Sequence, residues 1–219
     1  EGIKFSASLG MDTKADIEQP LEEAIANAES AMYWDKTINR PEINADIIDS
    51  IMETLHSRNS NERQHAQRVS ELCGKMGLSL GLSQLEINKL KRAGYLHDIG
   101  KIVMDKDLLI KQDLTGEESE KAEQHAVVGY RILNLFDDTL DLAEYIYSHH
   151  ENWDGSGYPR GLMGEQIPLI ARIISVVEVY DRALGRGMSN KEALEYIECG
   201  AGKRFDPWIV ELFIEMMGN

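Results

Sequence analysis

The sequence predicts a mainly α-helical protein. Apolar residues recur every three or four positions through most of the chain, which is the period of one face of a helix. One such stripe is formed by Val69, Leu72 and Met76. Thr115 with Glu118 three residues later is a capping box, which predicts that a helix begins there and continues through His125. Residues 169–180 are rich in β-branched side chains, but the helical segments on both sides favour a buried helix here as well.

The N-terminal part of the chain is predicted to be a separate segment. Residues 3–11 alternate between polar and apolar side chains, as a short strand does. A helix is expected from about Pro20 to the sequence Asn39-Arg40-Pro41, where the proline marks a boundary. We therefore predict a short strand–helix segment at residues 1–40 and an all-helical domain at residues 41–219.

The composition is that of a globular protein with an acidic surface. The formal net charge of −15 argues against binding a nucleic-acid polymer, because a phosphate backbone requires a basic face. A small phosphate substrate is still compatible, since bound cations and a few Lys or Arg side chains reverse the local field. No apolar run is long enough to cross a bilayer, and Glu1-Gly2-Ile3 does not begin a signal peptide. Cys73 and Cys199 are expected to be free thiols, so we predict a cytoplasmic protein without a membrane segment.

Five of the six histidines lie in a pattern typical of a metal centre. They are His65, His97, His125, His149 and His150, and His97 is followed directly by Asp98. Imidazole and carboxylate side chains together are the ligands that first-row transition metals use in hydrolytic sites. A single histidine is more often a core or surface residue. A His-Asp pair, a His-His pair and two further histidines in one helical domain favour a shared metal site instead.

The two pairs of adjacent residues restrict where such a site can lie. Neighbours on a helix point about 100° apart, so His97 and Asp98 reach one site only where a helix ends. From such an end, the two oxygens of Asp98 can each face a different cation. His149 and His150 are expected at the end of a second helix, directly before a turn-forming segment.

Three sets of motifs surround these histidines. The first is His65 with Arg68-Val69, then Leu96-His97-Asp98-Ile99-Gly100-Lys101, then His125. The second is His149-His150-Glu151-Asn152-Trp153-Asp154-Gly155-Ser156-Gly157-Tyr158-Pro159, and the third is Phe205-Asp206-Pro207. Together they resemble the HD superfamily of metal-dependent phosphohydrolases and its HD-GYP branch. The resemblance implies an all-helical phosphodiesterase of bacterial second-messenger signalling, a hydrolase that opens cyclic di-GMP to pGpG and sometimes to GMP.

Carried over to this chain, the resemblance implies two divalent metal ions, iron or manganese, with nickel or zinc as alternatives. One metal would be held by His65, His97, Asp98 and Glu178, and the second by Asp98, His125, His149 and His150. A water bridging the two would be deprotonated near neutral pH and attack phosphorus in line. Lys101 lies one turn after Asp98 and would bind a non-bridging phosphate oxygen. Asp98 and Lys101 are therefore the predicted catalytic residues.

The chain departs from the family at one of these ligand positions and at the position of a further ligand. Glu178 stands where the family has aspartate, among apolar residues. A buried ionised carboxylate there needs either a metal ion or an arginine partner such as Arg172, and we favour the metal. Family members with a third metal have a glutamate four residues before the first histidine. This chain has Asn61 at that position and Glu62 is expected to point elsewhere on the helix, so we predict two metals.

A third departure concerns substrate binding. After Asp181 the family has an Asp-Arg-Pro-Tyr-Arg stretch that helps to hold the dinucleotide, and this chain lacks or shortens it. Lys101, Arg182 and Arg186 are therefore the predicted substrate-binding residues. Three functions are left open: a phosphodiesterase for cyclic di-GMP, a regulatory module that binds the nucleotide or a partner without cleaving it, and an HD phosphohydrolase for another nucleotide. The intact motifs favour the first.

The N-terminal segment has a resemblance of its own. Ser8-Leu9-Gly10, followed by Ala31-Met32-Tyr33-Trp34-Asp35-Lys36, resembles the last strand and helix of a GGDEF diguanylate cyclase domain. The GGDEF loop itself is absent from this chain, so cyclase activity is not expected. The resemblance implies a GGDEF-like remnant at residues 1–40 and adds a GGDEF-domain partner or a homodimer as the protein partner. An unrelated amphipathic helix after a strand is the alternative.

Overall fold

The computed structural model describes residues 9–14, 16, 20–111 and 115–218. In this part of the chain no β-strand is formed, which confirms the predicted mainly α fold. Its α-helices are α1 (Leu21–Arg58), α2 (Ser60–Ser79), α3 (Gln84–Leu96), α4 (Lys106–Ile110), α5 (Gly116–Leu133), α6 (Leu140–Ser148), α7 (Leu169–Gly185), α8 (Asn190–Cys199) and α9 (Pro207–Gly218). Short 3-10 helices lie at Ile99–Val103, Asp137–Thr139 and Gly164–Gln166. None of the described helices combines the length and the apolar composition that a membrane span requires.

Helix α1 differs from its prediction. The expected helix end at Asn39-Arg40-Pro41 is wrong, because α1 continues through Pro41 to Arg58. A proline removes its own N–H bond and costs about 3 kcal/mol, but helical sequence on both sides lets the helix propagate across it. The predicted strand at residues 3–11 lies largely outside the described residues, and residues 9–14 form no regular element.

The chain divides into two compact units, Glu1–Ser50 and Ile51–Asn219. In the first unit, the segment 9–14 lies directly against α1, since a Cβ on Gly10 would fall 1.8 Å from the carbonyl oxygen of Ala28. The Asn27 amide also donates to Asp12 Oδ2 at 2.8 Å. The domain boundary expected at residue 40 stays a prediction.

In the second unit, helix α7 lies at the centre of the core. Helix α2 packs against α3 and α7, and α5 packs against α6 and the 3-10 helix Ile99–Val103. The buried helix predicted for residues 169–180 is confirmed, with Ile173, Ile174, Val176 and Val177 fully buried. Each such side chain stabilises the fold by about 1.5–3 kcal/mol through removal of apolar surface from water. This packing fixes the ends of α3 and α6 relative to the polar face of α7.

Helix α5 begins at the predicted capping box. The backbone N–H of Thr115 donates to Glu118 Oε2 at 2.8 Å, and the helix starts at the next residue, Gly116. Lys111 Nζ lies 2.6 Å from the same carboxylate oxygen. The first turn of α5 is thus closed by one partly exposed carboxylate, which accepts from both the backbone and a lysine.

Candidate metal centre

The helix end predicted at the His-Asp pair is confirmed. Helix α3 ends at Leu96, His97 is its C-cap residue, and Asp98 directly precedes the 3-10 helix Ile99–Val103. That turn lies against α5 so closely that a Cβ on Gly100 would fall 1.9 Å from the carbonyl oxygen of His125. Only glycine permits this approach, and the approach brings Asp98 beside His125.

The second histidine pair also lies at a helix end. Helix α6 ends at Ser148, and His149 is its C-cap residue. The following loop is held by the buried carboxylate of Glu151, whose oxygens accept from the backbone N–H groups of Arg160 at 2.7 Å and Leu162 at 2.9 Å. The sequence motif contains Glu151 but gave no indication of this structural role. Tyr158 from the same loop stacks on His150, with ring centroids 4.9 Å apart.

The structure brings all seven predicted metal ligands into two clusters, in each of which one potential ligand atom per residue lies within 4.8 Å of the others. Cluster A consists of His65, His97, Asp98 and Glu178, and cluster B of His125, His149 and His150. His150 is partly buried and the other six are buried. The two clusters are the same two groups that the sequence predicts, apart from the shared Asp98.

Asp98 lies between the clusters. Its Oδ2 is 3.2 Å from His97 Nε2 in cluster A, and its Oδ1 is 3.5 Å from His125 Nε2 in cluster B. Oδ1 is buried and has no hydrogen-bond partner among the described residues. An unpaired buried carboxylate oxygen is costly, and a cation is the ligand that would satisfy it.

The orientation of the imidazoles is fixed by the backbone. In His97, His125 and His149, Nδ1 donates to the carbonyl oxygen three residues earlier, so Nε2 points into the site. In the neutral rings of His125 and His149, Nε2 therefore carries the free lone pair. The acceptors are Gly94 at 2.7 Å, Ala122 at 2.5 Å and Ile146 at 2.6 Å. The Nε2 atoms of His125 and His149 are 3.4 Å apart. Two neutral rings in this tautomer cannot share a hydrogen bond, so the arrangement suits a bound cation.

His65 is oriented by a carboxylate instead. Its Nδ1 lies 2.7 Å from Asp181 Oδ2, and Asp181 also accepts two bonds from Arg68, at 2.5 Å and 2.9 Å. Asp181 thus holds His65 with its Nε2 towards His97, 3.2 Å away. No role was predicted for Asp181 from the sequence. The available signal was its position three residues after Glu178, on the same face of α7.

The two clusters differ in charge. Burial lowers the pKa of His125, His149 and His150, to about 3 for His149, so cluster B holds neutral imidazoles at pH 7. Burial raises the pKa of the Asp98 and Glu178 carboxyls, but the charges of His97 and Arg182 outweigh it and hold both pKa values well below the usual range. Cluster A therefore contains two ionised carboxylates.

Cationic side chains surround cluster A. Arg182 donates through Nε to Glu178 Oε1 at 2.7 Å and through Nη2 to Asp98 Oδ2 at 2.9 Å. Lys101 Nζ lies 2.7 Å from the same Asp98 oxygen. The arginine partner suggested for Glu178 was Arg172, which is wrong, because Arg172 pairs with Asp206 at 2.5 Å.

The expectation for Glu62 is also wrong. Glu62 is buried, lines the cleft next to the clusters and binds Lys101 Nζ through Oε2 at 3.1 Å. Positions three and four residues before His65 lie on the same face of a helix, so a glutamate at either one points towards the site. Helix periodicity alone therefore places Glu62, like Asn61, on the face of α2 that carries His65.

A cleft of about 550 Å³ opens beside the clusters. It is lined by His125, His150 and Glu178, and by all three predicted substrate-binding residues, Lys101, Arg182 and Arg186. Lys111 and Arg204 line it as well. Arg204 was not predicted from the sequence. It lies at the cleft beside the 149–158 loop, whose Trp153 N–H donates to Arg204 O at 3.1 Å.

Comparison with known proteins identifies a sequence family. The family model described as "HD domain" matches residues 49–209. A Thermotoga maritima protein named cyclic di-GMP phosphodiesterase is 36% identical over 78% of this chain and 50% of its own length. A Vibrio cholerae 3'3'-cGAMP-specific phosphodiesterase is 32% identical over 80% of this chain and 35% of its own. The Xanthomonas campestris response regulator RpfG, named a cyclic di-GMP phosphodiesterase, is 32% identical over 77% and 47%. The chain spans half or less of the length of these relatives.

Solved structures share the fold. A cyclic GMP-AMP specific phosphodiesterase of V. cholerae aligns with a TM-score of 0.64 and 22% identity, over 79% of this chain and 48% of that chain. A HDG"Y"P protein from Bdellovibrio bacteriovorus aligns with a TM-score of 0.62 and 19% identity, over 90% of this chain and 68% of that chain. At these identities the likeness establishes the helical fold and leaves the activity to the site.

Proposed function

Because the chain belongs to the HD domain family, we propose that it is a metal-dependent phosphodiesterase that hydrolyses cyclic di-GMP to pGpG, with GMP as a further product. The observation that carries this proposal is the pair of ligand clusters on one cleft, joined by the two oxygens of Asp98. Relatives named as phosphodiesterases of cyclic dinucleotides support the same reaction class.

Two divalent metal ions fit the donor atoms. We assign one ion to cluster A and the other to cluster B together with Asp98 Oδ1. The orphaned Asp98 Oδ1 and the facing Nε2 atoms, 3.0 Å apart in His125 and His150, support a cation between them. Mixed imidazole and carboxylate ligands suit iron or manganese, and they also accept nickel or zinc.

When bound, the metal ions supply Lewis-acid activation of the attacking water and of the phosphate ester. The protein's own residues fix the geometry, since the backbone carbonyls and Asp181 hold the imidazoles with Nε2 inward. Lys101 supplies a compact cation beside Asp98 for a non-bridging phosphate oxygen. Arg182 and Arg186 give the cleft positive charge for a dinucleotide with two phosphates, against the acidic surface of the whole protein.

Further assignments follow from the HD-GYP resemblance. Membership of the HD-GYP branch is supported by the loop that carries Tyr158. The Tyr158 ring stacks on His150, so this motif of the branch contacts cluster B directly. The segment 1–40 is proposed to be a GGDEF-like remnant, with a GGDEF-domain protein or a second copy of this chain as partner. A cytoplasmic location is consistent with a nucleotide second messenger as substrate.

The test is turnover by the metal-loaded protein. Protein purified without oxygen and loaded with ferrous iron or manganese is incubated with cyclic di-GMP, and the products are separated by chromatography. We expect pGpG and then GMP. Asp98→Ala should lower the rate by at least ~10³-fold and reduce the bound metal, because this residue serves both clusters. Asp141→Ala, which removes an exposed carboxylate paired with Lys89, is the matched control and should keep full activity. Full activity of Asp98→Ala would contradict the proposal.

A second candidate is a module that binds a cyclic dinucleotide without cleaving it. It is favoured by Arg182, which satisfies Glu178 without a metal ion. If this pairing is the cause of inactivity, Glu178→Asp should switch on hydrolysis in the metal-loaded protein, and an unchanged rate would exclude that explanation. 3'3'-cGAMP is assayed in parallel, because one relative at 32% identity is named as specific for it.

A further inference from the structure

Arg182 forms an ion pair with both carboxylates of cluster A. Its guanidinium contacts both acids. Nε lies 2.7 Å from Glu178 Oε1, and Nη2 lies 2.9 Å from Asp98 Oδ2. The spacing of four residues on α7 places Arg182 directly above Glu178, so the contact follows from helix geometry. A planar guanidinium that donates to two carboxylates is among the stronger charge-assisted contacts in proteins.

The two oxygens of Asp98 are therefore not equivalent. Oδ2, on the side of cluster A, has Lys101 Nζ at 2.7 Å, Arg182 at 2.9 Å and His97 Nε2 at 3.2 Å. A carboxylate oxygen has two lone pairs, so Oδ2 has no free position for another ligand. Oδ1, on the side of cluster B, is buried and has no hydrogen-bond partner in the described structure. One cluster is thus filled by the protein's own cation, and the other is open.

We propose that Arg182 is a resident counter-ion of cluster A, and that a metal ion binds there only by displacing its guanidinium from Asp98 and Glu178. This inference rests on the metal centre of the proposed function. It makes cluster B the site that fills first. Cluster A binds its ion more weakly than its four ligands alone would, and Arg182 is a positioning residue that sets the difference.

The cleft offers space for the displaced Arg182 side chain. The Arg182 side chain is 36% exposed and lines the cleft, so it can leave the carboxylates without unpacking the core. Arg186 lies one turn further along, on the same cleft, and among the described residues it forms no ion pair with either acid. Arg186 is therefore a matched arginine that shares the environment but not the contact.

The test is a calorimetric titration of the metal-free full chain with Mn²⁺ alone, with metal content measured independently. The wild-type protein should show two binding events. His149→Ala should remove the tighter event, and His65→Ala should remove the weaker one. Arg182→Ala should tighten the weaker event by about tenfold or more and leave the tighter one unchanged, because the ion no longer competes with a guanidinium. Arg186→Ala should bind Mn²⁺ as the wild type does.

Equal affinities in the wild type and in Arg182→Ala would overturn the inference while leaving the metal centre intact. Loss of the tighter event in His65→Ala instead of His149→Ala would overturn it as well, since the order of filling would be reversed. If neither protein binds Mn²⁺ at all, the metal centre of the proposed function fails, and the inference fails with it.

Arg182→Ala also leaves two buried carboxylates without their guanidinium, so its folding is followed by circular dichroism. If the metal-free variant is unfolded, added Mn²⁺ should restore the helical signal, and failure to do so would overturn the inference. Arg182→Lys keeps a cation but loses the planar fork. It should fold and bind the weaker ion with an affinity between those of the wild type and Arg182→Ala.

Discussion

Clusters A and B lie side by side, yet they are held together by different physics. Cluster A is a network of charges, in which Asp98 and Glu178 are ionised and are compensated by Lys101 and Arg182. Cluster B contains three neutral imidazoles, two of which are fixed by backbone carbonyl oxygens. Asp98 Oδ1 lies 3.5 Å from His125 Nε2 of cluster B. Within the described residues, Asp98 Oδ2 and Glu178 on the side of cluster A are paired with cationic side chains, whereas Asp98 Oδ1 on the side of cluster B has no hydrogen-bond partner.

The two clusters show that a metal site can be preorganised in two ways. Opposed ionised groups hold cluster A in shape, and they compete with the incoming ion for the same lone pairs. In cluster B, His125 and His149 donate from Nδ1, on the far side of the ring, to backbone carbonyl oxygens. These hydrogen bonds orient Nε2 without occupying it. Orientation by the backbone leaves the ligand atoms free, whereas neutralisation by side chains does not.

The largest effects are expected from removing one histidine of each cluster. His65→Ala and His149→Ala should each lower turnover by at least ~10³-fold, because each removes a ligand of one metal ion. In the metal-free protein they should differ. His65→Ala leaves the buried Asp181 without its histidine partner, which costs about 1–3 kcal/mol. His149→Ala removes a ring whose Nε2 faces another acceptor, so its loss of stability should be smaller.

Thermal unfolding of the two metal-free variants measures that difference. A lower melting temperature for His65→Ala than for His149→Ala is the expected result. The reverse order would mean that the backbone-oriented cluster contributes more to the apo fold than the charged one, and the contrast drawn between the clusters would be wrong.

Features of the two clusters that depend on residues close in sequence could be predicted from the sequence. The helix ends at His97 and His149 were predictable, because adjacent ligands cannot share a site along a continuous helix. The pairing of Arg182 with Glu178 was also within reach, because residues four apart are neighbours on one face of a helix. Arg172, the example given of an arginine partner as the alternative to a metal ion, is six residues from Glu178.

The contacts between distant elements were beyond the sequence. Asp181 meets His65 across 116 positions, and Arg182 meets Asp98 across 84. Both contacts exist because α7 packs against α2 and α3, and that packing is set by the whole core. A single sequence gives the face of a helix on which a residue lies. It does not give the helix that this face meets.

A smaller effect, confined to one cluster, is expected from Asp181→Asn. The amide keeps the shape of the side chain but loses the charge that orients and polarises His65. The affinity of cluster A for Mn²⁺ should fall by about 10–100-fold, and the affinity of cluster B should stay unchanged. Titration calorimetry on the wild type and the variant measures both values.

Asp206→Asn is the matched control for that change. Asp206 is another buried aspartate, paired with Arg172 at 2.5 Å outside both clusters. Its substitution should lower the melting temperature without altering either Mn²⁺ affinity. If Asp181→Asn behaves like Asp206→Asn, then Asp181 acts on stability alone and does not tune cluster A.

The smallest effect is expected at the start of α5, the helix that carries His125 of cluster B. Lys111 and Thr115 bind the partly exposed Glu118 carboxylate and lower its pKa to about 2. A carboxyl whose pKa is lowered in the folded state stabilises the protein above its ordinary pKa of about 4.5, and that contribution is lost as the pH falls towards 2. Glu118→Gln should therefore melt at a slightly lower temperature than the wild type at pH 7, and the difference should close as the pH falls from 5 towards 2.

Both Mn²⁺ affinities of Glu118→Gln should be unchanged, because the helix frays only at its first turn. Glu117→Gln, in the same turn, is the control and should melt as the wild type does. A gap that stays constant with pH would show that the Glu118 charge does not close this turn, and altered Mn²⁺ binding would show that cluster B depends on it.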